Sequence, residues 1–314
     1  MTPFDRTVLL TGSEGFIGQR VRAQLEREGW HVLRVDSLEP RVHTGFPRDV
    51  SVLDHYGDVG SVGYGLASKA RVVIHLAAQV GVADSMVDPL RYVEQNTLST
   101  ARFLQTLTTV AKRLPIRLVV ASSMSVYGDP QTDEPISEQQ PCRPASVYGL
   151  TKYDQEQLCL LWGEQTKASV VALRFFNVYG PGQALTNPYT GVLANFAQRL
   201  LHKERPIVYE DGQQTRDFVY VDDVADAVCK AAAHQVSGIF NVSTGIPTTI
   251  ETAARSLSSG LGAGIEPEIT GEYRLGDIPH CIGSNGLASS LLGWQPYTTF
   301  SEGIERYARA LRPL

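Results

Sequence analysis

Short apolar runs alternate with longer mixed stretches along the first half of the chain, the pattern of a parallel sheet threaded by helices. Thr7-Val8-Leu9-Leu10 is a β-prone apolar run that stops at Gly12. A helical pattern then runs through Arg27 and is ended by Gly29. A second strand spans 31–35 and closes on Asp36. A third is expected just before Arg48-Asp49-Val50, a fourth over 71–76 and a fifth over 116–121. Between the last two, 91–112 reads as one long helix. Residues 57–65 hold four glycines and read only as loop. Another helix is expected over 151–162, a run rich in helix formers that follows the turn-forming Arg143-Pro144. A strand–helix returns to the sheet near 216–244. The fold class is therefore α/β: a doubly wound parallel sheet over 1–180 plus 216–244, with a smaller lobe from 181–215 and 245–314.

Strand, glycine turn, helix, strand and acid form a dinucleotide-binding unit, here spaced Gly-x-x-Gly-x-x-Gly. Gly12 permits the turn, and Gly15 lets the backbone approach a pyrophosphate at the helix N-terminus, where Phe16 and Ile17 follow. Gly18 lets the helix pack on the strand. Asp36 can accept from both ribose hydroxyls and would repel a 2′-phosphate, which favours NAD over NADP. Arg34 and Arg41 argue the other way. Asp49, with Val50, either lies beside the adenine or caps a helix. Leu76, Ala77 and Ala78 end the fourth strand, and the small side chains there let a cofactor lie against the backbone. His75 reads as a packed strand residue, and Asn96 on the long helix is placed towards the nicotinamide.

Tyr148 and Lys152 are four residues apart and share a helix face. A phenol ordinarily loses its proton near pH 10, and a neighbouring ammonium favours the phenolate. Such a tyrosine can pass a proton to and from a sugar hydroxyl while another agent moves hydride. Ser123 stands at the carboxyl end of the fifth strand, where doubly wound sheets bind ligands, and can hydrogen-bond the same substrate oxygen. Ser125 is a further substrate candidate, against the plainer role of satisfying the strand end; Ser122 is read in that plainer role.

Composition narrows the function. The 314 residues are 43% apolar and 19% charged, as in an ordinary globular protein. A net charge of −5 argues against nucleic acid or a membrane surface as partner. No apolar run is long enough to span a bilayer, and no signal peptide is read at the start. Four scattered cysteines suit a reduced, cytoplasmic protein, and seven histidines show no metal-ligand spacing.

With these motifs in order, the chain resembles the extended short-chain dehydrogenase/reductases over nearly its whole length. Within them it is similar to the nucleotide-sugar epimerases and dehydratases, most of all to the dTDP-L-rhamnose and UDP-glucose 4-epimerase types. The resemblance implies Ser123, Tyr148 and Lys152 as the catalytic set and Asn96 as a nicotinamide contact. It implies Asn177 and Arg216 on a substrate diphosphate, with Arg274 as a second arginine. Fixed guanidinium groups suit that load. Tyr209 would stack on the nucleobase or pack in the lobe. The helices over 91–112 and after Tyr148 are implied as the faces of a homodimer.

Family dehydratases carry Asp and Glu at the two positions after the catalytic serine, and decarboxylases carry Glu at the second. Here they are Met124 and Ser125, which cannot act as carboxylates. The expectation is an NAD-dependent 4-epimerase of a dTDP- or UDP-linked hexose, a 6-deoxy one included, working through a 4-keto intermediate. A reductase of a nucleotide-linked 4-keto-6-deoxysugar using NAD(P)H is the alternative, and a binding protein without chemistry is third.

Overall fold

The computed structural model describes residues 6–40, 49–132, 134–185, 191–272 and 278–312. Six strands enter the main sheet in chain order: β1 (Thr7–Thr11), β2 (His31–Asp36), β3 (His55–Tyr56), β4 (Val72–His75), β5 (Arg117–Ser123) and β6 (Ser169–Phe175). Among the described residues eight more strands follow, the first five being β7 (Asn177–Tyr179), β8 (Ile207–Val208), β9 (Thr215–Arg216), β10 (Phe218–Tyr220) and, back in the main sheet, β11 (Gly238–Val242). The seven-stranded order is β11-β6-β5-β4-β1-β2-β3, parallel at every pairing.

The strands read as continuous apolar runs because both faces are covered. Val8 and Leu10 of β1 join one core with Val21 and Leu25 of the helix Phe16–Arg27 and Val224 of the helix Val221–Ala233. Leu9 faces the other way, into a core with Phe103 and Leu107 of the helix Ser99–Ala111 and Trp162 of the helix Val147–Thr166. The topology reverses between β1 and β4, which opens a crevice at their carboxyl ends.

Three elements differ from expectation. Among the described residues the third strand lies after Asp49, as a two-residue edge pairing Val35 with His55 and Asp36 with Tyr56. So short and polar an element has no apolar period to read. Residues 41–48, with Arg41 and Arg48, lie outside the described residues. The long helix is composite: Pro89–Tyr92, a π segment Val93–Leu98, then Ser99–Ala111. Within the stretch 245–314, Cys281, Ala288, Leu292 and Trp294 pack into the core of the main sheet. The Trp294 indole donates to the carbonyl of Asp223 at 2.9 Å.

A third core gathers Tyr179, Phe196, Leu200, Phe218, Tyr220, Leu257, Ile304 and Tyr307 beside the sheet. It binds the helices Val192–Leu201, Ile250–Leu261 and Phe300–Leu311 into a separate packed unit. Asp217, fully buried between β9 and β10, accepts from the backbone amides of Thr244, Gly245 and Gly283 and from the Thr244 hydroxyl. It ties that unit to the end of β11.

Candidate active site

The crevice is lined by Gly12, Gly15, Phe16, Ile17, Gly18, Asp36, Leu76, Ala77 and Ala78, and on its other wall by Tyr148 and Lys152. A Cβ at Gly18 would overlap the carbonyl oxygen of Gly12, so only glycine lets the helix sit this close to the turn. Gly15 caps that helix with no side chain, which leaves its first-turn amides to serve an anion in the crevice. This donor set, the small floor and an acid at the end of β2 fit a dinucleotide pyrophosphate and ribose. Asp36 is buried; its Oδ2 accepts from the amide of Glu14 and its Oδ1 from that of Leu38, both at 2.8 Å. A carboxylate has lone pairs beyond those two bonds.

Asp49 and Val50 do not line the crevice. Asp49 sits exposed and caps a 3₁₀ turn through Ser51, the helix-cap alternative of the two open for it. Its place beside the crevice is taken by Asp58 and Val59, at the end of β3. The signal was a lone acid after Gly57, hidden among the glycines of that loop.

Asn96 is also placed differently. It is fully buried in the π segment, and its neighbour Gln95 lines the crevice. The Asn96 side chain accepts from the Gln79 amide at 2.7 Å and donates to the Gln79 carbonyl and to Thr151. It thus pins the loop after β4 to the helix that carries Tyr148.

That helix is set from several sides. Ser146 caps it through the Gly149 amide, and the Tyr148 amide donates to the Ser85 hydroxyl at 3.0 Å. A Cβ at Gly149 would stand 2.5 Å from the carbonyl oxygen of Ser125, so glycine is what allows the helix to meet the turn after Ser123. The half-buried Tyr148 ring stands edge-on to Tyr92, with Ser123 near enough its hydroxyl to favour the charged form. The Ser123 oxygen also accepts from the Ser125 amide.

Electrostatics depart from the simple Tyr–Lys expectation. Burial pushes the Tyr148 phenol up, and the Ser123 hydrogen bond only partly opposes it. Lys152 is not among the groups that lower it. Burial brings the Lys152 ammonium down to about 8 from 10.5, with Cys159 and Glu156 opposing. Its Nζ donates to Gln155 Oε1 at 2.6 Å. Behind Gln155 runs a buried chain: its Nε2 donates to Thr100 Oγ1 at 2.8 Å, Thr100 meets His75 Nε2 at 2.9 Å, and His75 Nδ1 meets Thr11 at 2.8 Å. His75 is neutral there, held down to about 3 first by burial and then by Lys152.

A pH-dependent stability follows. A lysine that deprotonates more easily when folded costs stability in full below its folded value of about 8. The cost fades as pH rises towards 10.5, where the unfolded chain also loses its proton. Lys152→Met removes the cost. In cofactor-free protein its advantage over the parent should be larger at neutral pH than near pH 10, by on the order of a few kcal/mol. Thermal unfolding of both proteins across that range checks this; a pH-independent difference in Tm would contradict it.

Ser122 does more than satisfy its strand end. Its hydroxyl donates to Glu156, which is fully buried and takes a two-bond ion pair from Arg174 at 2.6 and 2.9 Å. The pair clamps β5, β6 and the Tyr148 helix together beneath the site.

On the substrate side, Met124 accepts from the Cys281 thiol at 3.1 Å, and Ser125 is half-buried beside it. Asn177 ends next to Asp217, its amide donating to that residue's carbonyl. Its side-chain oxygen is buried with no partner among the described residues, as is that of Gln214. Arg216 is buried and donates to the carbonyls of Thr215 and Pro279. Tyr209 is half-buried after β8, and its carbonyl accepts from Gln214. Gln214, a lone polar residue two places before Arg216, carries no periodic signal in the sequence. Arg274 lies outside the described residues. Among the described residues no cluster of His, Cys, Asp or Glu could hold a metal ion, no helix is long and apolar enough to cross a membrane, and all four cysteines are free.

A seven-stranded doubly wound sheet whose crevice is walled by Tyr148 and Lys152, with Ser123 beside the tyrosine, defines a nucleotide-cofactor enzyme of the short-chain type. Residues 8–243 match the NAD-dependent epimerase/dehydratase family, and the chain belongs to it. It is 32% identical to the dTDP-L-rhamnose 4-epimerase of Burkholderia thailandensis, over 95% of this chain and 93% of that protein. It is 33% identical to the UDP-glucose 4-epimerase of Mycolicibacterium smegmatis, over 97% of this chain and 98% of that one. The Thermus thermophilus UDP-glucose 4-epimerase, solved in complex with NAD, superposes with a TM-score of 0.84 at 30% identity, covering 97% of this chain and 98% of its own.

Proposed function

We propose that this chain is an NAD-dependent 4-epimerase of a dTDP- or UDP-linked hexose. One observation carries the reading: Tyr148 and Lys152 share the crevice wall, with Ser123 close enough to favour the charged form of the Tyr148 phenol, while Met124 and Ser125 stand where other chemistries of the family need carboxylates. Bound NAD+ supplies reversible hydride transfer at C4. Tyr148 takes the proton of the C4 hydroxyl and later returns it. Ser123 holds the C4 oxygen. Lys152, charged at neutral pH, stands on the same helix face as Tyr148, where its ammonium would favour the phenolate as the proton leaves. Arg216 and Asn177, with Arg274, grip the diphosphate, so the hexose can turn between its two faces while the nucleotide stays fixed.

Retained cofactor separates this from a 4-ketoreductase. Purified protein should interconvert its substrate without added NAD(P)H and with no net change at 340 nm. Stoichiometric consumption of NAD(P)H would favour the reductase. In addition, no dehydration of dTDP-glucose and no decarboxylation of UDP-glucuronate is expected, since neither Met124 nor Ser125 can move a proton as a carboxylate does. Mass spectrometry of the incubated sugars decides it, and a product lighter by water or carbon dioxide would contradict the assignment.

The protein is also proposed to be a cytoplasmic homodimer. Leu98 at the end of the π segment and Leu150 and Leu161 on the Tyr148 helix are exposed apolar residues on the two helices that would pair. Sedimentation of the parent and of Leu161→Asp tests this, with a shift towards monomer expected.

A further inference from the structure

We infer that Glu14 and Arg34 form a charge lock that makes Glu14 a second determinant of the choice between NAD and NADP. The inference rests on Asp36 marking the ribose end of the cofactor crevice. Arg34 and Asp36 are two positions apart on β2, so both side chains stand on the same sheet face, roughly 7 Å apart along the strand. A cation so placed could meet a 2′-phosphate. Its guanidinium is held instead by one oxygen of Glu14, at 3.0 Å from Nε and 2.8 Å from the terminal nitrogen. The Ser13 hydroxyl donates to that oxygen at 3.0 Å, and Arg22 stands 3.5 Å from it. The same residue's backbone amide donates to Asp36 Oδ2 at 2.8 Å.

Glu14 therefore occupies both groups that decide the fate of a 2′-phosphate. It orients the repelling carboxylate through its amide and neutralises the attracting cation through its side chain. The pair is well sheltered, with side-chain exposures of 16% and 17%, so solvent screens it less than a surface ion pair. Asp36 alone then does not set the preference. Removing it still leaves the Arg34 guanidinium bound by the Glu14 carboxylate.

The test is direct calorimetric titration of NAD and NADP into full-length, cofactor-free protein, compared across variants. Wild type should bind NAD far more tightly than NADP. Asp36→Ala should weaken NAD and raise NADP affinity by less than about tenfold. Adding Glu14→Gln to it should raise NADP affinity a further tenfold or more, the scale of one charge-assisted contact, while NAD changes by less than about threefold. Adding Arg34→Ala to that pair should abolish the gain. No gain from Glu14→Gln, or a gain that survives loss of Arg34, would overturn the lock. If Asp36→Ala left the NAD affinity intact, the reading of Asp36 would fail, while the Glu14 arms would still decide the lock. Should the double variants not fold, Arg34→Ala alone decides. Since Arg34 is already occupied, NADP affinity should stay within about twofold of wild type, and a tenfold loss would overturn the proposal.

Discussion

Tyr148→Phe is expected to lower turnover by roughly 10² to 10⁴-fold while leaving NAD affinity within a few-fold of wild type, the range typical of a lost general acid–base. The reason is local. The substitution removes one oxygen, close to Ser123, and keeps the ring that stands against Tyr92. The backbone anchors of this turn, the Ser85 bond to the Tyr148 amide and the Ser146 cap, do not involve the phenol. The phenol is neutral at pH 7 in the folded and the unfolded chain alike, so its titration adds nothing to the stability difference there. Turnover near the wild-type level in a folded, NAD-loaded Tyr148→Phe protein would remove the tyrosine from the chemistry.

Arg216→Ala is expected to raise the KM for the nucleotide sugar by roughly tenfold to a hundredfold, the scale of one lost charged hydrogen bond. Part of the effect should fall on kcat, because gripping the diphosphate helps aim C4 at the nicotinamide. Arg274→Ala carries the same expectation on its sequence motif. The plainer account makes Arg216 a brace between the lobes. The structure supplies some of that role, since Arg216 donates to the carbonyls of Thr215 and Pro279. Asp217, however, has its carboxylate filled by Thr244, Gly245 and Gly283. A brace alone predicts a lower Tm with a normal KM in the protein that survives. Substrate titration and thermal unfolding of the same variant separate the two.

The elements read most directly from sequence were those whose pattern has one physical cause. β1, β2, β4 and β5 are buried on both faces, so their apolar runs were continuous and bounded by Gly12, Asp36, Ala77 and Ser123. The glycine loop and the Tyr148–Lys152 spacing are local and survived translation into three dimensions, since both line one crevice. What escaped was decided by partners distant in sequence. β3 is a two-residue edge defined by its pairing with β2, so Asp58 could not be preferred to Asp49. Asn96 turns inward because a π segment rotates it towards Gln79 and Thr151, and no residue type announces such a segment. The effect of Lys152 on Tyr148 depends on burial and on Gln155, neither of which the four-residue spacing contains.

The most direct test is to incubate the purified, NAD-loaded protein with dTDP- and UDP-linked hexoses, with the 6-deoxy dTDP sugar among them, and to follow the sugar ring protons by NMR. The account predicts that at least one of them converts to its C4 epimer and approaches the same equilibrium mixture from either side, with the nucleotide and every other carbon unchanged. Conversion that runs one way only and consumes NAD(P)H, with no C4 epimer formed from any sugar of the panel, would contradict it.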